Sequence, residues 1–326
     1  MNSFEDAKIL ITGGLGFIGS NLAKRLVELG ADVLLVDSLI PEYGGNFYNI
    51  SGFEDKVKVN ISDVRDPHSM RYLVQGQDFL FNLAGQTSHM DSMADPFTDM
   101  EINCHAQLSI LEACRHHNPG IKIVYASTRQ IYGKPDYLPV DESHPLRPVD
   151  VNGINKMAGE WYHILYNNVY GIRSCVLRLT NTIGPHMRIK DARQTFLGIW
   201  IRLLLEGRFF EVWGGEQLRD FICVDDCVDA MLLAAVSEKG KGQVFNLGGD
   251  CKINLKDLAE MLIDVNGSGE YVIKTFPKDR KKIDIGDYYS DYTLIRKTLG
   301  WEPRVPLKEE LSRIIEFYRK NLEHYI

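Results

Sequence analysis

A chain of 326 residues, 44% hydrophobic and 25% charged, has the composition of a globular protein and room for a large domain with a smaller companion. Its net charge of −7 comes with no basic run, which argues against nucleic acid or an anionic membrane as partner. The opening MNSFEDAK lacks the apolar core of a signal peptide and no apolar run approaches membrane length, so no membrane segment is expected and the expected setting is cytoplasmic.

The first organised stretch is KILITGGLGFIGS, residues 8–20. Ile9, Leu10 and Ile11 have the length of a buried strand, and Gly14-x-Gly16-x-x-Gly19 opens a helix that runs to Leu29 and stops at Gly30. Glycines in such a turn allow a tight reversal, close approach of backbone to a pyrophosphate, and packing of helix on strand. The helix start adds unpaired N–H groups that favour phosphate. A second apolar run, 33–36, ends in Asp37, 18 residues past Gly19, near the spacing of about 20 for a ribose-binding carboxylate. No arginine or lysine stands beside Asp37 in Ser38-Leu39-Ile40, so a 2′-phosphate would be repelled and NAD is favoured over NADP.

After a loop over 41–49, residues 57–61 read as a third strand. It is followed by Asp63-Val64-Arg65-Asp66, where Asp63 could accept from an adenine amino group or belong to a solvated turn. The run 79–83 is a fourth strand, ending in Ala84-Gly85-Gln86, small residues suited to a cofactor passing close by. Residues 103–117 have helical spacing, with Leu108, Leu111 and Ala113 on the apolar stripe. The six cysteines (104, 114, 175, 223, 227, 251) form no CxxC pair, so reduced thiols are expected, with neither disulfides nor a metal site. A fifth strand, 121–126, runs into Ser127-Thr128-Arg129-Gln130-Ile131-Tyr132-Gly133; a loop with four prolines, a helix from about 151 to 170, and a strand at 174–179 follow. This alternation argues for an α/β, doubly wound parallel sheet. Beyond Pro185 the pattern loosens: helices at 196–205 and 224–236, a short strand at 211–213, a late strand at 243–246 returning to the sheet, and amphipathic helices at 255–265 and 307–318.

Several motifs occur in one order: Gly13-x-x-Gly16-x-x-Gly19, Asp63-Val64, Asn82-Leu83-Ala84-Gly85, Ser127-Thr128 with Tyr132-Gly133, Lys156-x-x-x-Glu160, Arg178-x-x-Asn181-x-x-Gly184-Pro185, Arg219-Asp220-Phe221, Asn246-x-Gly248-Gly249 and Leu299-Gly300-Trp301-x-Pro303. Together, over nearly the whole chain, they resemble the extended short-chain dehydrogenase/reductase family of nucleotide-sugar epimerases, dehydratases and decarboxylases. The resemblance implies a Rossmann-like domain over 1–180, rejoined by a strand near 243–247, and a smaller α/β domain over 181–326 for a nucleoside-diphosphate sugar, with interleaved boundaries. It implies NAD held by Gly13, Gly16, Phe17, Ile18, Gly19, Asp37, Asp63, Val64, Leu83, Ala84 and Lys156. It also implies a homodimer formed through the helices at 103–117 and 153–170.

The family oxidises a sugar hydroxyl transiently, using a tyrosine base, a lysine four residues later, and a Ser or Thr on the preceding strand. Thr128 and Lys156 match, but the tyrosine position holds Asn152. An amide is not a base near neutral pH. Three readings stay open: another base, Tyr132 or a water held by Thr128 and Asn152; a different proton path; or a substitution made to trap a complex. Dehydratases of the family carry Asp-Glu directly after the threonine, and decarboxylases a glutamate two residues after it. Here those positions are Arg129 and Gln130, so epimerisation, expected at C4, asks least of the side chains present. A 4-dehydrogenase or a decarboxylase, which Gly184-Pro185-His186-Met187 and Arg193 resemble, is the alternative enzyme, and a non-catalytic NAD and nucleotide-sugar binder the other alternative. For the substrate the resemblance points to Gln86, Asn181, Arg193 and Arg219. Because Asp284-Ile285-Gly286-Asp287 lacks the arginine that usually precedes Pro-Gly-Asp, it also points to Arg280 or Lys282.

Overall fold

The computed structural model describes residues 3–43 and 45–326, leaving aside the side chains of Asp279 and Arg280. The strands are β1 (Lys8–Thr12), β2 (Asp32–Asp37), β3 (Val57–Ile61), β4 (Phe79–Asn82), β5 (Lys122–Thr128), β6 (Arg173–Leu179), β7 (Asn181–Ile183), β8 (Phe210–Trp213), β9 (Leu218–Cys223), β10 (Val244–Asn246), β11 (Lys252–Asn254) and β12 (Tyr271–Lys274). The helices are α1 (Phe17–Glu28), α2 (Pro67–Leu73), α3 (His89–Ala94), α4 (Pro96–Met100), α5 (Ala106–His117), α6 (Val151–Tyr170), α7 (Phe196–Leu205), α8 (Val224–Val236), α9 (Leu255–Asn266), α10 (Lys278–Lys281), α11 (Thr293–Leu299) and α12 (Leu307–Asn321).

Seven strands form one parallel sheet in the order β10-β6-β5-β4-β1-β2-β3. Ile9, Leu10 and Ile11, and all of β4, are buried, because helices cover both faces and leave no solvent side for polar alternation. On one face Leu22, Leu26, Val228 and Met231 of α1 and α8 pack against the sheet. On the other, Met70, Ile110, Leu111 and Tyr166 of α2, α5 and α6 do the same. Strand order reverses between β1 and β4, which opens a crevice at the strands' C-terminal ends where ligands bind in open α/β sheets. The late strand does return: β10 pairs with β6, Val244 opposite Val176.

A second core joins α7, α9 and α12 with β8, through Trp200, Leu258, Leu262, Ile314 and Phe210. Phe17 at the start of α1 belongs to this core, so the two halves meet beside the glycine turn. The paired strands β8 and β12, and the three-stranded sheet β11-β9-β7, stand apart from the main sheet. Helix α5 starts three residues later than its apolar spacing suggests. Residues 101–105 form a wider π turn leading out of α4, a distortion that often marks functional positions, and Asn103 sits in it.

Candidate functional site

A cleft of about 910 Å³ lies over the C-terminal ends of β1, β4 and β5 and runs beneath the second core. At one end the turn after β1 is forced by its glycines. Gly13 has φ +68°, and a side chain on Gly19 would put its Cβ 2.2 Å from the Gly13 carbonyl oxygen. The turn therefore folds tightly onto the start of α1, with bare backbone of Gly13 and Gly16 facing the cleft, which Phe17, Ile18 and Gly19 also line. The Thr12 hydroxyl accepts from the Leu83 and Ala84 N–H groups at 3.1 and 3.2 Å, bringing these small residues beside Gly13.

Asp37 closes this end. Its carboxylate accepts from the N–H of Leu15 at 3.1 Å and of Leu39 at 2.9 Å. Burial pushes its pKa up, and the two backbone hydrogen bonds offset only part of that. Asp63 also lines the cleft with Val64, but its carboxylate is gripped by Arg65, at 2.6 Å to Nη2 and 3.0 Å to Nε. Burial raises the Asp63 pKa, and the Arg65 contacts overcome it to leave the group below its ordinary value. A phosphate-sized turn of bare N–H groups, small residues beneath, and a carboxylate 18 residues on fit a dinucleotide.

Thr128 and Lys156 both line the cleft. Lys156 Nζ donates to the Ala126 carbonyl at 3.1 Å. Gly85 makes room for it, since a Cβ there would stand 2.8 Å from Nζ. Burial lowers the Lys156 pKa to about 8, the Asp99 charge opposing. Asn152, one helical turn earlier on α6, also lines the cleft, with its amide hydrogen-bonded inward. It is 2% exposed, and its Nδ2 donates to the Gln86 carbonyl at 2.7 Å and to Asp99 Oδ2 at 3.0 Å. Asp99 is itself buried and also accepts from Asn103 Nδ2 at 3.0 Å and Asn155 Nδ2 at 2.8 Å. Three amides thus hold one buried carboxylate beneath the lysine, and Asn152 acts as a donor to it.

Two expected site residues lie elsewhere. Tyr132 is fully buried outside the cleft lining. Its hydroxyl donates to Asn246 Oδ1 at 2.7 Å and accepts from Arg178 Nη1 at 2.6 Å. Burial pushes its pKa up to about 12 despite Arg178, so it is not the base. Gln86 is 1% exposed. Its amide donates to the Ser88 carbonyl at 2.9 Å, shaping the loop after β4, and it does not line the cleft.

At the far end, Asn181 Oδ1 accepts from Arg129 Nη2 at 2.9 Å, and Arg129 Nη1 is buried with no hydrogen-bond partner among the described residues. Arg219, on β9, donates to the carbonyls of Leu218 and Gly286 and pairs with Asp284 at 3.2 Å. Arg193 pairs with Asp91 of α3 at 3.0 Å. Lys282 is exposed beside Ile283 and Asp284, which line the cleft. The Arg280 side chain lies outside the described residues. Phe196, Trp200, Trp213 and Phe276 give this end aromatic walls. Sequence reasoning missed Asp99, Arg129, His89 and Asp150. Asp150 alone left a signal, an acid just before a helix, and it does cap α6 by accepting from Gly153 N–H at 2.7 Å.

Comparison with known proteins agrees with this geometry. The model of the NAD dependent epimerase/dehydratase family matches residues 9–248. UDP-glucose 4-epimerase of Mycolicibacterium smegmatis is 30% identical over 319 residues, 96% of this chain and 98% of that protein. UDP-glucuronic acid decarboxylase 1 of Xenopus tropicalis is 30% identical over 97% of this chain and 73% of that one. The crystal structure of UDP-glucose 4-epimerase with UDP-glucose from Thermotoga maritima superimposes with a TM-score of 0.89 at 32% identity, covering 97% of this chain and 99% of that one.

Proposed function

The chain belongs to the NAD-dependent epimerase/dehydratase family and takes NAD as its cofactor, and on that premise we propose that it is a cytoplasmic nucleotide-sugar epimerase acting at C4 of a UDP-hexose. The observation that carries this reading is the end of β5. Past Thr128 stand Arg129 and Gln130, neither able to donate or accept a proton as a carboxyl group does, and the Gln130 amide is already donated to Asp150 Oδ2 at 2.9 Å. Eliminating water needs an acid there. Epimerisation needs only a sugar that is oxidised, turned over and reduced again.

NAD, when bound, supplies the reversible hydride acceptor. The chain's own residues would do the rest. Gly13, Gly16 and the start of α1 would seat the pyrophosphate, and Asp37 a ribose. Lys156, with one hydrogen-bond acceptor among the described residues for its three N–H donors, has donors left for ribose hydroxyls and would put positive charge beside the reacting oxygen. The Thr128 hydroxyl, accepting from Gln130 N–H at 3.2 Å, keeps its proton free to hydrogen-bond that oxygen. Arg129 Nη1 and Arg219 would meet the diphosphate, because a buried guanidinium edge without a partner is the state expected of a donor that awaits an anion.

We also infer a homodimer through α6, which leaves Ile154, Trp161, Leu165 and Val169 about half exposed, an apolar stripe at helical spacing that a soluble monomer rarely shows. Incubating the purified protein and NAD with UDP-glucose and following the sugar by NMR tests the reaction. UDP-galactose with no net NADH is expected. Accumulating NADH would point to a dehydrogenase, and binding without any product to a protein that has given up catalysis.

A further inference from the structure

We propose that the general base of this site is His89, held by Asp150, in place of the tyrosine whose position Asn152 occupies. The inference rests on the epimerase reading and adds to it the group that moves the proton.

Asn152 cannot fill the role. Although Asn152 lines the cleft, its buried amide is spent as a donor to Asp99 and to the Gln86 carbonyl, and an amide is not a base near neutral pH. The other ionisable groups lining the cleft are placed or engaged otherwise. Asp37 and Asp63 sit at the far, ribose-binding end; Asp91 is paired with Arg193; Asp284 is paired with Arg219; Glu211 accepts from Trp213 Nε1 at 3.2 Å; burial and the Asp91 charge push the Tyr43 phenol up; Lys156 is needed as the cation. His89 is the one imidazole among the described residues that line the cleft. It is the first residue of α3, on the loop leaving β4, and its ring is partly exposed.

The surroundings of its ring are built. His89 Nδ1 lies 2.9 Å from Asp150 Oδ2. Asp150 is 2% exposed and accepts at Oδ2 from Gln130 Nε2 and at Oδ1 from Gly153 N–H, as the N-cap of α6. One carboxylate therefore ties together the end of β5 that carries Thr128, the helix that carries Lys156, and the loop that carries His89. Burial pushes the Asp150 pKa up, but the His89 ring, the Gly153 N–H and the Gln130 amide overcome it and hold the group below its ordinary value. His89 Nδ1 is buried against this ionised, immobile carboxylate at ion-pair distance without hydrogen-bond alignment, and the attraction favours the ring proton on that nitrogen, leaving the Nε2 lone pair as the acceptor. The remaining charged groups along this stretch of cleft, among the described residues, are the Asp91–Arg193 pair, Arg129 and Lys156.

The proton balance follows. In oxidation the sugar O–H bond breaks and its proton goes to His89 Nε2. The C4–H bond breaks with its electron pair leaving as hydride to the oxidised dinucleotide, and C4 becomes a carbonyl carbon. On reduction of the turned ketone the same imidazolium returns the proton to the oxygen. His89 is then the catalytic residue, while Asp150 and Gln130 are positioning residues that act through it.

The test uses the protein with NAD, its wild-type, His89→Gln, His89→Ala and Asp150→Asn forms, UDP-glucose as substrate, and ¹⁵N-histidine NMR as a readout independent of turnover. His89→Gln should lower kcat by about 10²–10⁴-fold while KM changes by less than about 3-fold, and added imidazole should restore part of the rate in His89→Ala. In the wild type the neutral His89 ring should carry its proton on Nδ1, and Asp150→Asn should remove that preference. An unchanged kcat in His89→Gln beside an active wild type overturns the base alone, as does a wild-type ring protonated on Nε2. A wild type that turns over no nucleotide sugar overturns the epimerase reading and the base with it.

Discussion

Asn152→Asp separates a structural amide from an idle active-site position. The substitution replaces the Nδ2 donor, 3.0 Å from Asp99 Oδ2, with a carboxylate oxygen in a site that is 2% exposed. Two ionised carboxylates at that distance repel by about 5 kcal/mol at an effective dielectric of about 20, so the folded protein keeps one proton on the pair. Holding that proton costs about 1.4 kcal/mol for each pH unit above the unfolded carboxyl pKa of about 4. The variant should therefore be within about 1 kcal/mol of wild type at pH 4.5 and about 4 kcal/mol less stable at pH 7. The sign follows from linkage: a carboxyl whose folded pKa is raised loses stability as pH rises from the unfolded value towards the folded one. Urea unfolding at four or five pH values reads the slope directly. A variant as stable as wild type at pH 7, or one that turns over faster because it has gained a base, would refute the inward-facing amide.

Three further outcomes follow from the same geometry. Lys156→Met should bind NAD more weakly in calorimetry and lose turnover, yet be more stable at pH 7 by about 2 kcal/mol. The buried amine, at about 8 against an ordinary 10.5, burdens the fold below pH 8, and that burden fades as pH climbs towards 10.5, so the gain should vanish over the same range. Arg129→Met should weaken UDP binding by about tenfold or more, and unchanged affinity would remove Arg129 from the diphosphate site. Trp161→Glu, on a side chain 55% exposed in the isolated chain, should give monomers by sedimentation; dimers that persist would place the interface elsewhere.

The nucleotide half of the fold is legible in the sequence because its strands are buried on both faces. Ile9–Leu10–Ile11, the run at 33–36 and β4 read as unbroken apolar segments, with glycines and an acid at fixed spacings. The strands β7, β9, β11 and β12 are three to six residues long and lie outside the main sheet, so neither length nor alternation announces them. Within the site, the sequence exposes Asn152 only as a missing tyrosine. What the amide does depends on Asp99 and Gln86, which reach it from two separate segments. Tyr132 stands close to Thr128 in sequence, but Gly133, at φ +66°, turns the chain there and the ring goes into the core against Arg178. His89 and Asp150 are 61 residues apart, and no spacing rule joins them.

The most direct measurement uses UDP-glucose carrying deuterium at C4, incubated with the purified protein and NAD, with the products read by NMR and mass spectrometry. The account predicts UDP-galactose that keeps its deuterium at C4, since the hydride taken from one face returns to the other without leaving the cleft. Loss of the label to solvent, net NADH, or no new epimer would contradict it.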